Sequence, residues 1–173
     1  MRLFGLYIAY GVCALVLETT WLHDLPAANY QFDFLLIAVV YLGFSQEWRV
    51  ALPIVIVFGL LYDVASAGPI GMALTSYIAV YIMLRMIIAK ITYQTLVSRF
   101  AWVAIASLVD KCVCAALIFL WGSRFDIAEL FLARAPVQAL IDSTTGLVLI
   151  PFIAWYSDLS WEKLFRPKGL VLD

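Results

Sequence analysis

Ionisable side chains inside apolar stretches are the residues of this sequence that could do chemistry. Glu18, Asp63, Asp110 and Asp142 each lie within a long apolar segment, and Lys111 directly follows Asp110. A charge inside a membrane is costly unless it is paired or faces water or protein, so such residues mark ion paths, ligand sites or ties between helices. Counting from the helix ends places all four acids roughly 15 to 22 Å above the inner face. We therefore predict an intramembrane polar layer of Glu18, Asp63, Asp110, Lys111 and Asp142, in which Lys111 pairs with one carboxylate.

This polar layer has two interpretations. In the functional one it forms a proton path or a ligand pocket open to the outside, and in the structural one its bonds fix a single arrangement of helices. Acids of transporters usually come with discontinuous helices at the midplane, which only Pro53 and Gly59 suggest here, so the structural interpretation is favoured. The hydroxyl groups expected to bond the acids are those of Thr19, Thr20, Ser66, Ser143, Thr144 and Thr145.

Residue patterns for enzyme chemistry are missing from the sequence. It has one histidine, His23, and neither a G-x-S-x-G nor an H-E-x-x-H motif, so serine, cysteine and metal mechanisms lack a base or a ligand set. We interpret the three cysteines as small apolar residues of helices. No catalytic, cofactor-binding or metal-binding residue is predicted.

The composition indicates an integral membrane protein. Hydrophobic residues make up 65% and charged residues 13% of the 173 positions, against about 25% charged residues in soluble domains, and the mean hydropathy is +1.00. The net charge of −1 provides no basic surface for nucleic acid.

The apolar segments predict an all-α polytopic protein, a compact bundle forming one membrane domain over 1–173. The second helix is short for a hydrocarbon core of about 30 Å, so we expect protein to cover its outer end or the bilayer to thin there. Segment 123–135 is predicted as a short amphipathic helix on the outer surface, and 158–173 as a short cytoplasmic tail. The six predicted transmembrane helices are 2–22, 32–46, 49–66, 69–91, 97–122 and 136–157.

The basic residues indicate that both termini are cytoplasmic. With an inner N-terminus, Arg124 and Arg134 lie outside and Lys111 within the bilayer, and all other Lys and Arg residues lie inside. Cytoplasmic loops are enriched in Lys and Arg, which favours this orientation. The inner residues are Arg2, Arg49, Arg85, Lys90, Arg99, Lys163, Arg166 and Lys168.

A turn between two apolar helices is the most distinctive stretch. Gly68 and Pro69 are predicted to end the third helix and start the fourth, because glycine suits a helix C-cap and proline a first helical turn. Asp63 lies about one turn before the break. We define the turn motif as Gly59, Asp63, Gly68, Pro69 and Gly71.

Small residues recur at every fourth position of the first helix. Gly5, Ala9 and Cys13 form a smooth strip on which another helix could pack closely. The sequence leaves open whether that helix belongs to this chain or to a partner, and internal packing is the favoured interpretation. Homo-oligomerisation of the protein is also possible.

The turn motif resembles a known family. The resemblance rests on the run GLLYDVASAGPIGMALTSYIAVYIM, with weaker similarity at 34–41 and 146–151, and it is to the bacterial rod-shape-determining protein MreD family. Phe32 departs from the proline that this family commonly has before its second helix. The resemblance implies a bundle similar to the substrate-binding S-components of energy-coupling-factor transporters.

The resemblance also implies a noncatalytic role in cell shape and peptidoglycan synthesis at the bacterial inner membrane. The expected direct partner is MreC, with MreB, RodA and a class B penicillin-binding protein in the same elongation complex. The alternative is the small-molecule-binding subunit of a membrane transporter, with a ligand held beneath the turn and contacted by Asp63.

Overall fold

Helices joined by short turns make up the part of the protein that the computed structural model describes, which comprises residues 2–20, 32–66, 70–88, 96–122 and 125–165. Six helices occur in these ranges, close to the predicted segments except at the sixth. They are α1 (Arg2–Thr20), α2 (Phe34–Ser45), α3 (Trp48–Ala65), α4 (Met72–Ile88), α5 (Leu96–Gly122) and α6 (Phe125–Phe165).

Three of these helices are long and apolar enough to cross a membrane. The qualifying stretches are Trp48–Ala65, Phe100–Leu120 and Leu132–Trp155. The apolar stretches of α1, α2 and α4 are shorter, at 10 to 17 residues within the described part. Length and composition thus identify a helical membrane protein.

Helix α2 lies at the centre of the fold and contacts each of the other five helices. Its twelve residues, FLLIAVVYLGFS, are apolar on all sides, and eight of them are buried. A helix that is hydrophobic all round is stable only when surrounded by apolar groups. Because α2 is only about 18 Å long, its first turn lies inside the bundle, where Asp33 is 4% exposed.

Helices α5 and α6 follow one another and pack together along their lengths. Gly146 permits the approach, because a Cβ atom at this position would lie 3.0 Å from Cγ2 of Val103. A methyl group at 146 would therefore crowd the Val103 side chain, which would have to shift by a few tenths of an ångström.

Helix α6 corrects the prediction of two separate helices, 123–135 and 136–157. It is one helix of 41 residues and continues through Pro136 and Pro151. Proline has a helix-compatible φ and costs one backbone hydrogen bond, which neighbouring groups in a membrane bundle can compensate. At about 60 Å the helix is twice the thickness of a hydrocarbon core. Both of its ends therefore extend beyond the apolar stretch Leu132–Trp155.

Candidate functional site: a buried polar cluster

Asp33, which directly precedes α2, begins the polar cluster. Its carboxylate oxygen Oδ1 accepts the Leu36 N–H at 2.8 Å, which caps α2. The same oxygen accepts the hydroxyl of Tyr77, from α4, at 2.7 Å. The buried side chain of Asp33 thus caps α2 and is hydrogen-bonded to α4.

Asp142 of α6 is the most enclosed acid of the cluster, with no exposed surface. Its Oδ2 accepts the hydroxyl of Ser107 at 2.6 Å, and its Oδ1 accepts the Gln138 side-chain amide at 2.9 Å. The backbone N–H of Asp33 donates to Oδ1 at 3.4 Å. Asp142 therefore connects α6 to both α5 and α2.

Asp110 and Lys111 form the ion pair of the cluster. Lys111 Nζ lies 2.8 Å from Oδ2 of Asp110, with the Lys111 side chain 18% and the Asp110 side chain 4% exposed. The Ser76 hydroxyl donates to the other carboxylate oxygen of Asp110. The predicted pairing of Lys111 with a carboxylate is found here, but the pair lies within α5, and it is Ser76 that links α5 to α4.

Glu18 of α1 lies within electrostatic range of Asp33, Lys111 and Asp142. Its Oε2 is buried and has no hydrogen-bond partner among the described residues. Glu18 therefore lies next to the cluster, but its Oε2 accepts no hydrogen bond from the described members of the cluster.

Asp63, predicted in the same layer, makes its bonds elsewhere. Its carboxylate accepts the backbone N–H groups of Gly71 at 2.9 Å, Ala73 at 2.8 Å and Leu74 at 3.3 Å. These groups begin α4, where N–H groups lack carbonyl partners and the helix dipole favours a negative charge. The charge of Asp63 is thus used to cap α4, which was not predicted.

Two glycines of the turn motif, Gly59 and Gly71, lie where α3 meets the start of α4. Gly59 lies one turn before Asp63 and faces α4, since a Cβ atom there would be 2.5 Å from Cα of Leu74. Gly71 has a φ of +95°, which L side chains rarely adopt. Gly68 and Pro69 lie outside the described residues.

Several bonding partners differ from those predicted. The hydroxyls of Thr19, Ser143, Thr144 and Thr145 donate to carbonyls of their own helices. The residues that sequence reasoning missed are Asp33, Ser76, Tyr77, Ser107 and Gln138. The shortness of α2 was the available signal for Asp33, because a helix of about 18 Å in a hydrocarbon core of about 30 Å leaves one of its ends at membrane depth.

The small residues of α1 lie on the surface of the part of the chain that the structure describes. Gly5, Ala9 and Cys13 are exposed, so the interpretation of this strip as an internal contact is wrong. The inward contact of α1 is at Gly11, where a Cβ atom would lie 2.6 Å from the Phe58 ring. The strip therefore remains available for a partner.

The carboxylates of the cluster are hydrogen-bonded to other groups of the same chain. The carboxylates of Asp33, Asp110 and Asp142 all accept bonds from side chains or backbone of this chain. Among the described residues, no group of three or more His, Cys, Asp or Glu side chains is placed to hold a metal ion. Comparison with protein-family models, curated proteins and solved structures finds no match.

Proposed function

We propose that the protein is a noncatalytic scaffold of the bacterial inner membrane, in which all six helices cross the bilayer and both termini are cytoplasmic. It serves the cell-elongation complex by binding the transmembrane helix of MreC and thereby helping to organise peptidoglycan synthesis and cell shape. MreB, RodA and the class B penicillin-binding protein associate through that complex. The assignment to this complex is supported by the sequence resemblance over the turn motif.

A closed ring of interhelical bonds is the observation that carries the scaffold proposal. Tyr77 links α4 to Asp33 at the start of α2, and the Asp33 N–H links α2 to α6 through Asp142. Ser107 links α5 to the same Asp142, and Ser76 links α4 to α5 through Asp110. Each such bond in a membrane contributes about 0.6 kcal/mol on average. The acids thus stabilise one arrangement of four helices, which suits a protein that presents fixed surfaces.

The exposed strip of α1 is the surface we assign to MreC. Gly5, Ala9 and Cys13 lie on one face and are exposed, and no described side chain or other helix lies within 4 Å of a Cβ atom placed at Gly5. Small residues at four-residue spacing let two membrane helices approach closely and gain van der Waals contacts. The outward direction of the strip is what a partner helix requires.

The test is complementation in a rod-shaped bacterium depleted of its own MreD-family protein. We expect the chain to restore rod shape and to copurify with MreC from detergent-solubilised membranes. Ala9→Leu should reduce MreC recovery, because the larger side chain holds the partner helix away. Ala101→Leu, at an exposed alanine of α5, is the matched control and should leave recovery unchanged. Failure to restore shape together with absence of MreC would overturn the proposal.

A small-molecule-binding transporter subunit remains the second candidate, and one observation favours it. Helix α2 begins inside the bundle at Asp33, and Oε2 of Glu18 is buried nearby without a hydrogen-bond partner among the described residues. Transporters place the N-termini of short helices at such depths to bind ligands. Mass spectrometry of the purified protein should then reveal a copurified solute that Glu18→Gln removes, and its absence would count against this candidate.

A further inference from the structure

An apolar groove lies between α5 and α6, away from the polar cluster. Its volume is about 750 Å³. The small side chains of Cys112, Ala115, Ala116 and Ala133 create the space. The complete lining is Cys112, Ala115, Ala116, Phe119, Glu129, Leu132 and Ala133.

The groove extends from hydrocarbon depth to headgroup depth. The apolar stretch of α5 ends at Leu120 and that of α6 begins at Leu132. Along α5, Cys112 lies about 12 Å before Leu120, within the apolar stretch. Along α6, Glu129 lies about 4.5 Å before Leu132, outside the apolar stretch. The apolar lining is therefore at the level of acyl chains, and the single charged side chain among the lining residues is at the level of headgroups.

The dimensions of the groove decide between a lipid and a partner helix. On α5 the lining runs from Cys112 to Phe119, which is about 10 Å of helix. A spanning partner helix is about 30 Å long and needs a continuous strip of similar length. A 10 Å groove suits a segment of one acyl chain.

We propose that the groove binds a phospholipid whose headgroup carries an ammonium group, with part of an acyl chain along Ala115 and Ala116 and the ammonium beside Glu129. The exposed carboxylate of Glu129 attracts a cation at headgroup depth, where ionic groups remain hydrated. An anionic headgroup without an amine would bring its phosphate towards the same carboxylate and be repelled. Charge complementarity thus selects the amine-bearing lipid.

Native mass spectrometry of the delipidated protein tests the proposal. The protein is incubated with equal amounts of dioleoyl phosphatidylethanolamine and dioleoyl phosphatidylglycerol, which have identical chains. We expect ethanolamine lipid adducts to predominate. Glu129→Gln should lower them about fivefold, the effect of one exposed ionic contact. Ala116→Phe should remove most adducts of both lipids by filling the groove.

Ala101→Phe is the matched control for the filled groove, because Ala101 is also an exposed alanine of α5 and lies about 22 Å along the helix from Ala116. We expect its adducts to equal those of the unsubstituted protein. Circular dichroism of each variant checks that the helices are retained. Equal retention of the two lipids by the unsubstituted protein would overturn the proposal, as would an unchanged adduct level in Ala116→Phe.

Discussion

Substituting Gly59 by alanine is the sharpest test of the α3–α4 junction. The added Cβ would lie 2.5 Å from Cα, 3.1 Å from N and 3.2 Å from Cβ of Leu74. Two of these atoms belong to the backbone, so rotation of the Leu74 side chain does not relieve the overlap. To reach the 3.4 Å at which ordinary contact begins, the helices must separate locally by about 0.9 Å.

The cost of that separation outweighs the intrinsic benefit of alanine. Alanine is favoured over glycine within a helix by about 0.5 to 1 kcal/mol, whereas overpacking costs about 1 to 3 kcal/mol. The same movement lengthens the bond from the Leu74 N–H to Asp63, already 3.3 Å. We therefore expect Gly59→Ala to lower the free energy of unfolding by about 1 to 2 kcal/mol.

The assay is equilibrium unfolding of the purified protein in bicelles by steric trapping, with Gly5→Ala as the matched control. Gly5 is also a helical glycine, but nothing lies within 4 Å of its added Cβ. Gly5→Ala should leave stability unchanged or raise it by up to about 1 kcal/mol. If Gly59→Ala is as stable as Gly5→Ala, the close approach of α3 and α4 at Leu74 is refuted.

Three further substitutions probe the carboxylates by the same unfolding assay. Asp63→Ala removes the cap of α4 and should cost about 1 to 2 kcal/mol, and a stability equal to that of the unsubstituted protein would contradict the capping role. Lys111→Met leaves Asp110 without its cation and should cost about 3 kcal/mol; the double variant with Asp110→Asn should recover most of the loss, and simple additivity would refute the pairing. Tyr77→Phe removes one hydrogen-bond donor to Asp33 and should lower the free energy of unfolding by about 1 kcal/mol. The same substitution should have no effect in a protein that already carries Asp33→Ala.

The break between the third and fourth helices was predicted from local chemistry at Gly68 and Pro69, and α3 ends at Ala65 and α4 begins at Met72. The contacts that Gly59 and Asp63 make with α4 were not part of that prediction. The structure places Gly59 against Leu74 and Asp63 on the first N–H groups of α4. The bonds of Asp63 differ from those expected in the polar layer because depth alone does not give direction, and a helix N-terminus nearby offers the carboxylate three donors.

The polar cluster was only partly predictable because its partners are distant in sequence. Asp110, Lys111 and Asp142 were identified by their charge in apolar surroundings, but Ser107 and Gln138 are ordinary polar residues until packing brings them to Asp142. The continuity of α6 across Pro136 was missed because proline usually ends a helix in water, whereas the continuation through Pro151 was part of the predicted helix 136–157.

The position of α2 has a consequence for biogenesis. The chain segment that holds Asp142 leaves the ribosome 109 residues after Asp33, a delay of about 5 to 20 s at ordinary rates of synthesis. During that interval the short helix α2, about 18 Å long, carries a carboxylate whose neighbour on α6 has not yet been made. We expect a membrane insertase to shelter α2 until α6 is made, and crosslinking of stalled nascent chains ending before and after 142 should show α2 leaving that shelter only in the longer chain.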